Sequence, residues 1–418
     1  MRSHSEAIGV AGDNIANVNT MGFKRQRAIF TDVLGQSVAQ AAGSPSAGAG
    51  SRIGHIERMF NQGALLTTDS PTDMAISGDG FFTVAGTVNG VSGSFYSRAG
   101  AFHIDTDGKL ANPDGLLLQG YQADDSGAIT STIGDLTVSG AALKASPTAS
   151  ADLQVQLDSN STVPPAWDPL SPDTTSNFSS SFSVFDSLGN SHEITSYFRK
   201  TGANSWEWHA MVDGDSIAGG IPGVPVEGAS GTLTFTTDGA LDIETPGASV
   251  WDFEGATPGQ VISFDFGDAI TSDGGSGLGA TTQFAAENST SGIFQDGFPA
   301  GSTAGLEVSS DGSVIGVFSN GQRRVLGRLS IAKFQSNHAL ARGGNTLYVE
   351  TINSGPPLFG FAEAGGRGNI ISGAVEQSNV DIGSEFVNLI SYQRGFQANA
   401  RVITTADEMY SELVNLKR

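Results

Sequence analysis

The apolar side chains of the last 38 residues recur with the period of a long amphipathic helix. One column of apolar residues repeats every seven positions, and further residues flank it three or four positions away. The column and its flanking residues together comprise Ile382, Phe386, Leu389, Gln393, Phe396, Ala400, Ile403, Tyr410 and Val414. This spacing is typical of a coiled-coil seam. At 1.5 Å per residue the helix would be roughly 55 Å long, too long to bury its seam against one compact domain. We therefore expect it to pack against partner helices.

A second, shorter apolar seam lies near the amino terminus. It steps by three, four and three positions through Ile8, Ala11, Ile15 and Val18. Asn17, Asn19 and Gly22 then predict the end of a helix, because Asn and Gly tolerate the left-handed conformation that terminates helices. A short amphipathic segment usually packs on its own domain. The matching seam at the other terminus nevertheless favours pairing of the two ends.

Polar residues on the predicted helices have two interpretations. Asn14, Asn17 and Asn19 can form a polar network across a subunit interface, or they can supply ordinary helix-end and turn hydrogen bonds. Both interpretations stay open. Gln393 falls on the carboxy-terminal seam, where a polar residue can fix the register of a coiled coil.

Between the helices the chain has the pattern of antiparallel β-structure. Strand-like runs separated by Asp-Gly, Asn-Gly or Gly pairs occur at 76–145 and 281–365. Ile262, Phe264 and Phe266 alternate with polar residues, as on a strand with one buried face. The chain contains 56 glycines and 38% hydrophobic residues, which suits turn-rich structure with buried cores. The predicted fold class is mainly β with α-helical termini.

Residues 146–280 are strongly acidic. They contain two basic residues, Arg199 and Lys200, against 18 Asp and Glu, and hold most of the net charge of −22 on the whole chain. Such a segment does not suit nucleic acid, because phosphate binding requires the opposite sign. All four tryptophans also fall here, which predicts an aromatic core under an acidic surface. Within the segment, Asp238-Gly239 predicts a β-hairpin with a type I′ turn.

These blocks predict a nested, discontinuous organisation. An outer β-barrel or sandwich-like domain is inserted into an inner β-domain, and the terminal helices form a coiled-coil layer. The predicted parts are a terminal helical layer at 1–30 and 372–418, a low-complexity linker at 31–59, an inner β-domain at 60–145 and 281–371, and the outer acidic β-domain at 146–280. Residues 39–51 are rich in Gly, Ala and Ser, and we expect them to be flexible, or ordered only in a polymer.

Motifs for metal binding and catalysis are incomplete in this chain. His192-Glu193 begins an HExxH zinc motif, but Ser196 replaces the second histidine. Asp105 and Asp107 begin a calcium loop that lacks its later acidic ligands, so a turn is the better interpretation. The sequence shows neither a signal peptide nor a long apolar run. We expect no enzyme activity, no metal, no cofactor and no membrane insertion.

Five blocks resemble the bacterial flagellar axial proteins, the family of rod, hook and hook-associated subunits. NIANVNTMGFK at 14–24, which includes Gly22 and Phe23, is similar to the amino-terminal signature of that family. The other blocks lie at 60–84, 96–121, 182–208 and 372–418, and the last is similar to the carboxy-terminal signature. Members of the family usually carry a longer helix before the position of Ser3. Either the true start lies upstream of Met1 or this helix is shorter.

The resemblance implies a structural subunit that polymerises with copies of itself into the flagellar hook, a flexible curved tube that transmits torque from rod to filament. The implied location is extracellular, after unfolded export by the flagellar type III apparatus. Besides self and the export apparatus, the implied partners are the distal rod protein, the hook cap protein and the hook–filament junction protein. The expected self-assembly residues are the two seams together with Asn14, Asn17, Asn19, Gly22 and Phe23.

Two alternatives remain open at this point. A distal rod or hook-associated axial protein shares both terminal signatures, but the block at 182–208 and the acidic insertion favour a hook subunit. A secreted surface adhesin is the alternative outside the family. It predicts internal repeats of about 20 to 50 residues, which the sequence does not show, and it leaves the terminal helices unexplained.

Overall fold

A computed structural model describes residues 1–33, 50–124, 126–138, 142–245, 249–279 and 281–415. Its helices are α1 (Arg2–Ala16), α2 (Pro172–Thr175), α3 (Ile270–Asp273) and α4 (Ile382–Asn415), with two short 3₁₀ turns at Gly214–Ser216 and Asn337–Ala339. Almost all other regular structure is β. The predicted class, mainly β with helical termini, is confirmed.

The strands follow in chain order as β1 (Gln26–Asp32), β2 (Ser51–Arg58), β3 (Leu65–Thr67), β4 (Met74–Ser77), β5 (Phe81–Val88), β6 (Val91–Ser97), β7 (His103–Ile104), β8 (Leu110–Ala111), β9 (Leu117–Ala123), β10 (Ile129–Asp135), β11 (Ser150–Asp158), β12 (Phe178–Phe185), β13 (Ser191–Gly202), β14 (Ser205–Asp213), β15 (Pro225–Phe235), β16 (Leu241–Thr245), β17 (Val250–Trp251), β18 (Gln260–Val261), β19 (Ser263–Asp265), β20 (Thr282–Phe284), β21 (Ser289–Gln295), β22 (Thr303–Val308), β23 (Ser313–Phe318), β24 (Arg323–Leu329), β25 (Ile331–Lys333), β26 (Ala341–Gly344), β27 (Leu347–Val349), β28 (Leu358–Gly360), β29 (Asn369–Ser372) and β30 (Ala374–Glu376).

The chain divides into two structural units. The first comprises Met1–Ala141, Thr303–Val317 and Arg323–Arg418, and the second comprises Ala142–Ser302 and Phe318–Gln322. The second unit extends beyond the expected 146–280, because β20 and β21 pair with β11 and therefore belong to it.

The predicted linker at 31–59 has a different structure where it is described. β2 lies within it and pairs antiparallel with β1, so both flanks of the segment are strands. Its Gly-rich part, 39–51, lies outside the described residues apart from 50 and 51.

The first unit is built on a sheet of 13 strands with the central order β22-β23-β24-β9-β5-β6-β27-β26. Met74, Phe82, Leu118 and Ile331 are fully buried in its core. Two short antiparallel pairs, β29–β4 and β3–β30, tie the chain that precedes α4 to early strands of the same unit. The start of α4 is therefore anchored to a rigid scaffold.

The second unit combines the five-stranded sheet β12-β13-β14-β15-β16 with a four-stranded sheet around β11. The predicted aromatic core is confirmed for Trp206, Trp208 and Trp251, which are buried in one cluster with Phe264 and Phe266. The fourth tryptophan, Trp167, is half-buried and stacks on His209 with ring centroids 4.0 Å apart.

The predicted hairpin at Asp238-Gly239 joins β15 to β16, but its predicted type I′ turn is wrong. Only Gly239 of the pair has a positive φ, of 82°. The Thr236 N–H donates to the Ala240 carbonyl at 2.8 Å, which encloses a three-residue loop. Such loops close with a type I turn and one left-handed glycine, whereas type I′ needs two left-handed residues.

Candidate assembly surface

The two terminal helices meet in the first unit. α1 lies against α4 and against the β1–β2 hairpin. The buried residues of α1 are Ser3, Ala7, Ala11 and Asn14. On α4, a Cβ atom added at Gly395 would lie 2.8 Å from the imidazole of His4. The small residues on both helices therefore permit a close approach, and the structure brings the two ends of the chain together.

The face that α1 buries differs from its predicted seam. Of the predicted residues only Ala11 is buried, whereas Ile8, Ile15 and Val18 are half-buried. Because the helices approach closely, the contact selects the small residues Ser3 and Ala7 instead of the branched ones. The predicted seam therefore keeps part of its apolar surface exposed.

Aromatic contacts hold the first half of α4. Phe30 on β1 lies between His4 of α1 and Tyr392 of α4, with ring centroids 5.5 Å and 5.9 Å away. Glu385, one turn into α4, is buried at 4% exposure, and Leu389 is half-buried. Glu385, Leu389 and Tyr392 thus lie on the side of α4 that faces α1 and the hairpin.

Two of the three predicted asparagines make hydrogen bonds within the chain. The Asn14 side-chain amide donates to the Gln26 carbonyl at 2.7 Å, and the Gln26 N–H donates to Asn14 Oδ1 at 2.8 Å. The Asn17 amide donates to the Asp13 carbonyl at 2.8 Å, at the end of α1. The Asn14 bonds therefore join α1 to the start of β1, helix-end chemistry accounts for Asn17, and Asn19 is exposed.

Gly22 and Phe23 pass closely over the scaffold. Gly22 has a φ of +68°, and a Cβ atom there would lie 2.4 Å from the Ala99 nitrogen. Its N–H donates to the Glu376 carbonyl at 2.8 Å, and the Phe23 side chain is buried. A side chain at position 22 would thus be unfavourable for two reasons: the positive φ disfavours residues other than glycine, and the Cβ atom would clash with Ala99.

A buried charge cluster joins the segments next to the two helices. The Lys24 ammonium donates to Glu376 Oε1 at 2.5 Å, the Gly63 N–H donates to the same oxygen at 2.7 Å, and the Arg98 guanidinium donates to Oε2 at 3.4 Å. The side chains of Lys24 and Glu376 are completely buried. Burial lowers the pKa of both Lys24 and Arg98, because desolvation outweighs the attraction of Glu376.

Sequence reasoning missed this cluster. Lys24 and Glu376 lie in the blocks that resemble the two family signatures, but they are 352 positions apart. The only signal in a single sequence is that Lys24 follows a run of apolar and uncharged polar residues, and that Glu376 stands among apolar and small or uncharged neighbours. Nothing in that pattern says that the two charges meet.

Most of the predicted carboxy-terminal seam is exposed. Leu389 and Ala400 are half-buried, and the remaining members, Ile382, Phe386, Gln393, Phe396, Ile403, Tyr410 and Val414, are exposed. At 3.6 residues per turn, Ile403, Tyr410 and Val414 continue the line of Leu389 and Tyr392 along α4. They are 47%, 71% and 70% exposed.

α4 carries further exposed apolar residues that the heptad column does not contain. They are Val387, Ile390, Val402, Met409 and Leu413. A full helical projection of the sequence would have shown them, since they lie on other sides of the helix than the heptad column. Monomeric proteins rarely expose apolar surface of this extent unless it binds something.

Within the described ranges, no group of three or more His, Asp and Glu side chains is placed to hold a metal ion. No helix in that part of the chain is long and apolar enough to cross a membrane. The exposed apolar side chains of α4 make this helix the candidate functional surface.

Three family models match the chain. They are the Flagellar basal body protein FlaE D2 domain at 156–298, the Flagellar hook protein FlgE/F/G D1 domain at 75–162 and the Flagellar basal body rod FlgEFG protein C-terminal at 371–416. The flagellar hook protein FlgE of Borreliella burgdorferi is 34% identical over 100% of this chain and 97% of its own length. That of Escherichia coli is 33% identical over 98% and 96%. The chain belongs to the flagellar hook protein FlgE family.

Membership of the FlgE family fixes the broad function. The chain is a structural subunit of the flagellar hook and not an enzyme, and the hook is a polymer of one subunit that links rod and filament. The prediction of a hook subunit is confirmed over the rod and adhesin alternatives. The crystal structure of Helicobacter pylori flagellar hook protein FlgE2 has a similar fold, with a TM-score of 0.52 at 13% identity over 73% of this chain and 98% of that chain.

Proposed function

We propose that copies of this chain polymerise by burying the apolar face that α4 leaves exposed. The observation that carries the proposal is the continuity of the seam. Leu389 and Tyr392 pack towards α1 and the hairpin, and Ile403, Tyr410 and Val414 continue the same line along α4 and are exposed. A helix segment without tertiary contacts gains little stability alone, so this half of α4 needs a partner.

The size of the seam limits what it can do alone. Full burial of one large apolar side chain is worth about 1.5–3 kcal/mol. Association costs about 4–15 kcal/mol in lost freedom of motion. Three seam residues only roughly offset that cost, so each subunit must use further surfaces in the polymer.

The proposed tube is layered. The terminal helices form its inner layer, the β-structure of the first unit the next, and the acidic second unit the outside. Contacts between two different surfaces of identical subunits build an open helical tube when the rotation between neighbours does not close a ring. The negative charge of the outer unit favours polar, adaptable contacts, which let the tube curve while it transmits torque.

The proposed tube lies outside the cell and continues other structures. The distal rod protein would contact its base, the hook cap protein its growing end, and the hook–filament junction protein its finished end. Export would occur through the flagellar type III apparatus in an unfolded state. A chain without cysteine suits that route, since no disulfide can obstruct the passage.

Ile403→Asp tests the proposal, with Thr404→Asp as the matched control on the charged side of the same helix. An aspartate on the seam would have to be buried on assembly, whereas one beside Arg401 and Glu408 would stay in water. Motors isolated from cells that produce only the Ile403→Asp chain should show rods that end without hooks. The control should support hooks, and both chains should keep the thermal unfolding of wild type.

Complete hooks built from Ile403→Asp would refute the seam as an assembly surface. If cells that lack the chain altogether build incomplete rods, the protein would be assigned to the rod instead of the hook. If those cells build intact hooks without filaments, the protein would be assigned to the hook–filament junction.

A further inference from the structure

A groove opens in the first unit where α4 begins. It has a volume of about 260 Å³ and is lined by Val18, Met21, Leu66, Val375 and Val380 together with uncharged polar residues. Met21 and Leu66 are 44% and 49% exposed. No charged side chain is among the described residues that line it. The groove therefore suits an apolar occupant without burying an unpaired charge.

A stripe on the second half of α4 has matching chemistry. Val402, Met409 and Leu413 are spaced seven and four positions apart and are each exposed by more than 60%. At 3.6 residues per turn these three lie on one side of the helix, which we call the outer stripe. Arg401, Glu408 and Glu412 cluster about a quarter of a turn away, so the stripe itself is uncharged.

The outer stripe is distinct from the seam. By the same helical geometry, Ile403, Tyr410 and Val414 lie roughly 100° around the helix from Val402, Met409 and Leu413. One partner cannot cover both lines fully, because a packed helix contacts a narrower face. The outer stripe therefore remains available when the seam is occupied.

The groove and the outer stripe of one chain cannot meet. Val380 lines the groove and lies two positions before α4. Val402 is 20 positions into the helix, which places it about 30 Å along the axis from Ile382. α4 is continuous and contains no proline at which to fold back. A second copy of the chain, which carries the same stripe, is the occupant that fits.

We propose that the outer stripe of one subunit docks into the groove of a second copy. This contact rests on the proposed polymerisation and adds the second surface that its energetics require. It joins two different parts of identical chains, so it is head-to-tail, and it extends along a helix when the rotation between neighbours does not close a ring. The groove formed by Val18, Met21 and Leu66 thereby receives an α-helix of the next subunit.

Cysteine cross-linking tests the contact cleanly, because the chain has no cysteine of its own. Leu66→Cys and Met409→Cys are combined in one chain, which is polymerised and treated with a short bis-maleimide. Denaturing gels should show a ladder of covalent multimers. Each single variant should give no ladder beyond a dimer. The control pairs Met409→Cys with Val91→Cys, a residue that is 65% exposed at the end of the β5–β6 hairpin and does not line the groove, and should give none.

Each other outcome decides a separate claim. Tubes of normal appearance without a Leu66–Met409 ladder would overturn the groove contact and leave the proposed polymerisation intact. Cross-linking within dilute monomers would show that the occupant is the chain's own helix. If the double variant forms no tubes, Leu66→Asp decides. Loss of assembly with unchanged thermal unfolding supports the contact, and normal tubes refute it. Failure of wild type to polymerise would instead contradict the proposed function.

Discussion

Glu376 is the residue at which the two ends of the chain converge. Its carboxylate accepts hydrogen bonds from Lys24, which follows α1, and from Arg98 and the Gly63 backbone. Six positions later α4 begins. A buried pair of this kind adds little net stability over an apolar pair, but removing one partner is costly because the other charge stays buried. The cluster therefore fixes where α4 leaves the scaffold.

Glu376→Gln should destabilise the first unit strongly. It leaves the Lys24 and Arg98 charges without their counter-ion, and the free energy of unfolding should fall by about 3–5 kcal/mol. Urea titration of the monomer measures the change. Glu57→Gln is the control, since Glu57 pairs with Arg27 at the surface and exposed pairs contribute little. Equal unfolding midpoints for the two variants would contradict the structural role of the cluster.

Glu244 makes the second unit sensitive to pH. Desolvation, with a smaller contribution from Asp265 and Asp273, raises the pKa of Glu244 to about 7 from 4.5. The folded unit therefore holds a proton that the unfolded chain has released. Its stabilising effect is complete below pH 4.5, declines as pH rises, and is lost above about pH 7.

Glu244→Gln should remove that dependence. The amide stays neutral and keeps an oxygen that can accept from the Phe266 N–H, as the carboxylate does at 3.0 Å. Allowing for partial exposure, we expect the variant to be more stable than wild type by about 1–2 kcal/mol at pH 8, with no difference at pH 4. Thermal unfolding across this range measures it. A parallel pH profile for the two chains would contradict the raised pKa.

At the scale of elements, the heptad pattern predicted α4 well and its contacts poorly. The observed helix begins at Ile382, the first residue of the predicted column. Periodicity locates apolar lines on a helix, but it does not say which partner covers them. α1 packs against α4 near Leu389 and Gly395 through small residues. No apolar pattern in the sequence marks Ser3 or Ala7 as contact residues. The groove at Met21 and Leu66 was missed because it joins segments distant in sequence.

At the scale of the whole molecule, composition revealed the inserted unit but not its limits. The acidic bias ends near 280, whereas the unit continues to Ser302. β20 and β21 complete the sheet around β11 through pairing over more than 120 positions, which composition does not record. The Leu143 N–H donates to the Gly301 carbonyl at 2.8 Å, and the Gly301 N–H donates to the Leu143 carbonyl at 2.9 Å. These two bonds hold the first and last residues of the insertion together.

Removing the insertion tests the layered arrangement. Residues 144–300 are replaced by a short Gly-Ser linker between Leu143 and Gly301, which are already neighbours. Because the proposed assembly contacts lie in the first unit, the shortened chain should still form tubes. Those tubes should be straight or mechanically altered when seen by electron microscopy. Tubes that curve and supercoil like the parent would contradict an outer unit that governs bending.

The central claim is that assembly buries the second half of α4. Hydrogen exchange read by mass spectrometry, on the monomer and on the polymer, tests it most directly. In the monomer, amides at 399–415 should exchange faster than those at 385–396, which pack near α1 and the hairpin. In the polymer the protection of 399–415 should rise to that of the first half. Equal exchange at 399–415 in the two states would contradict the account.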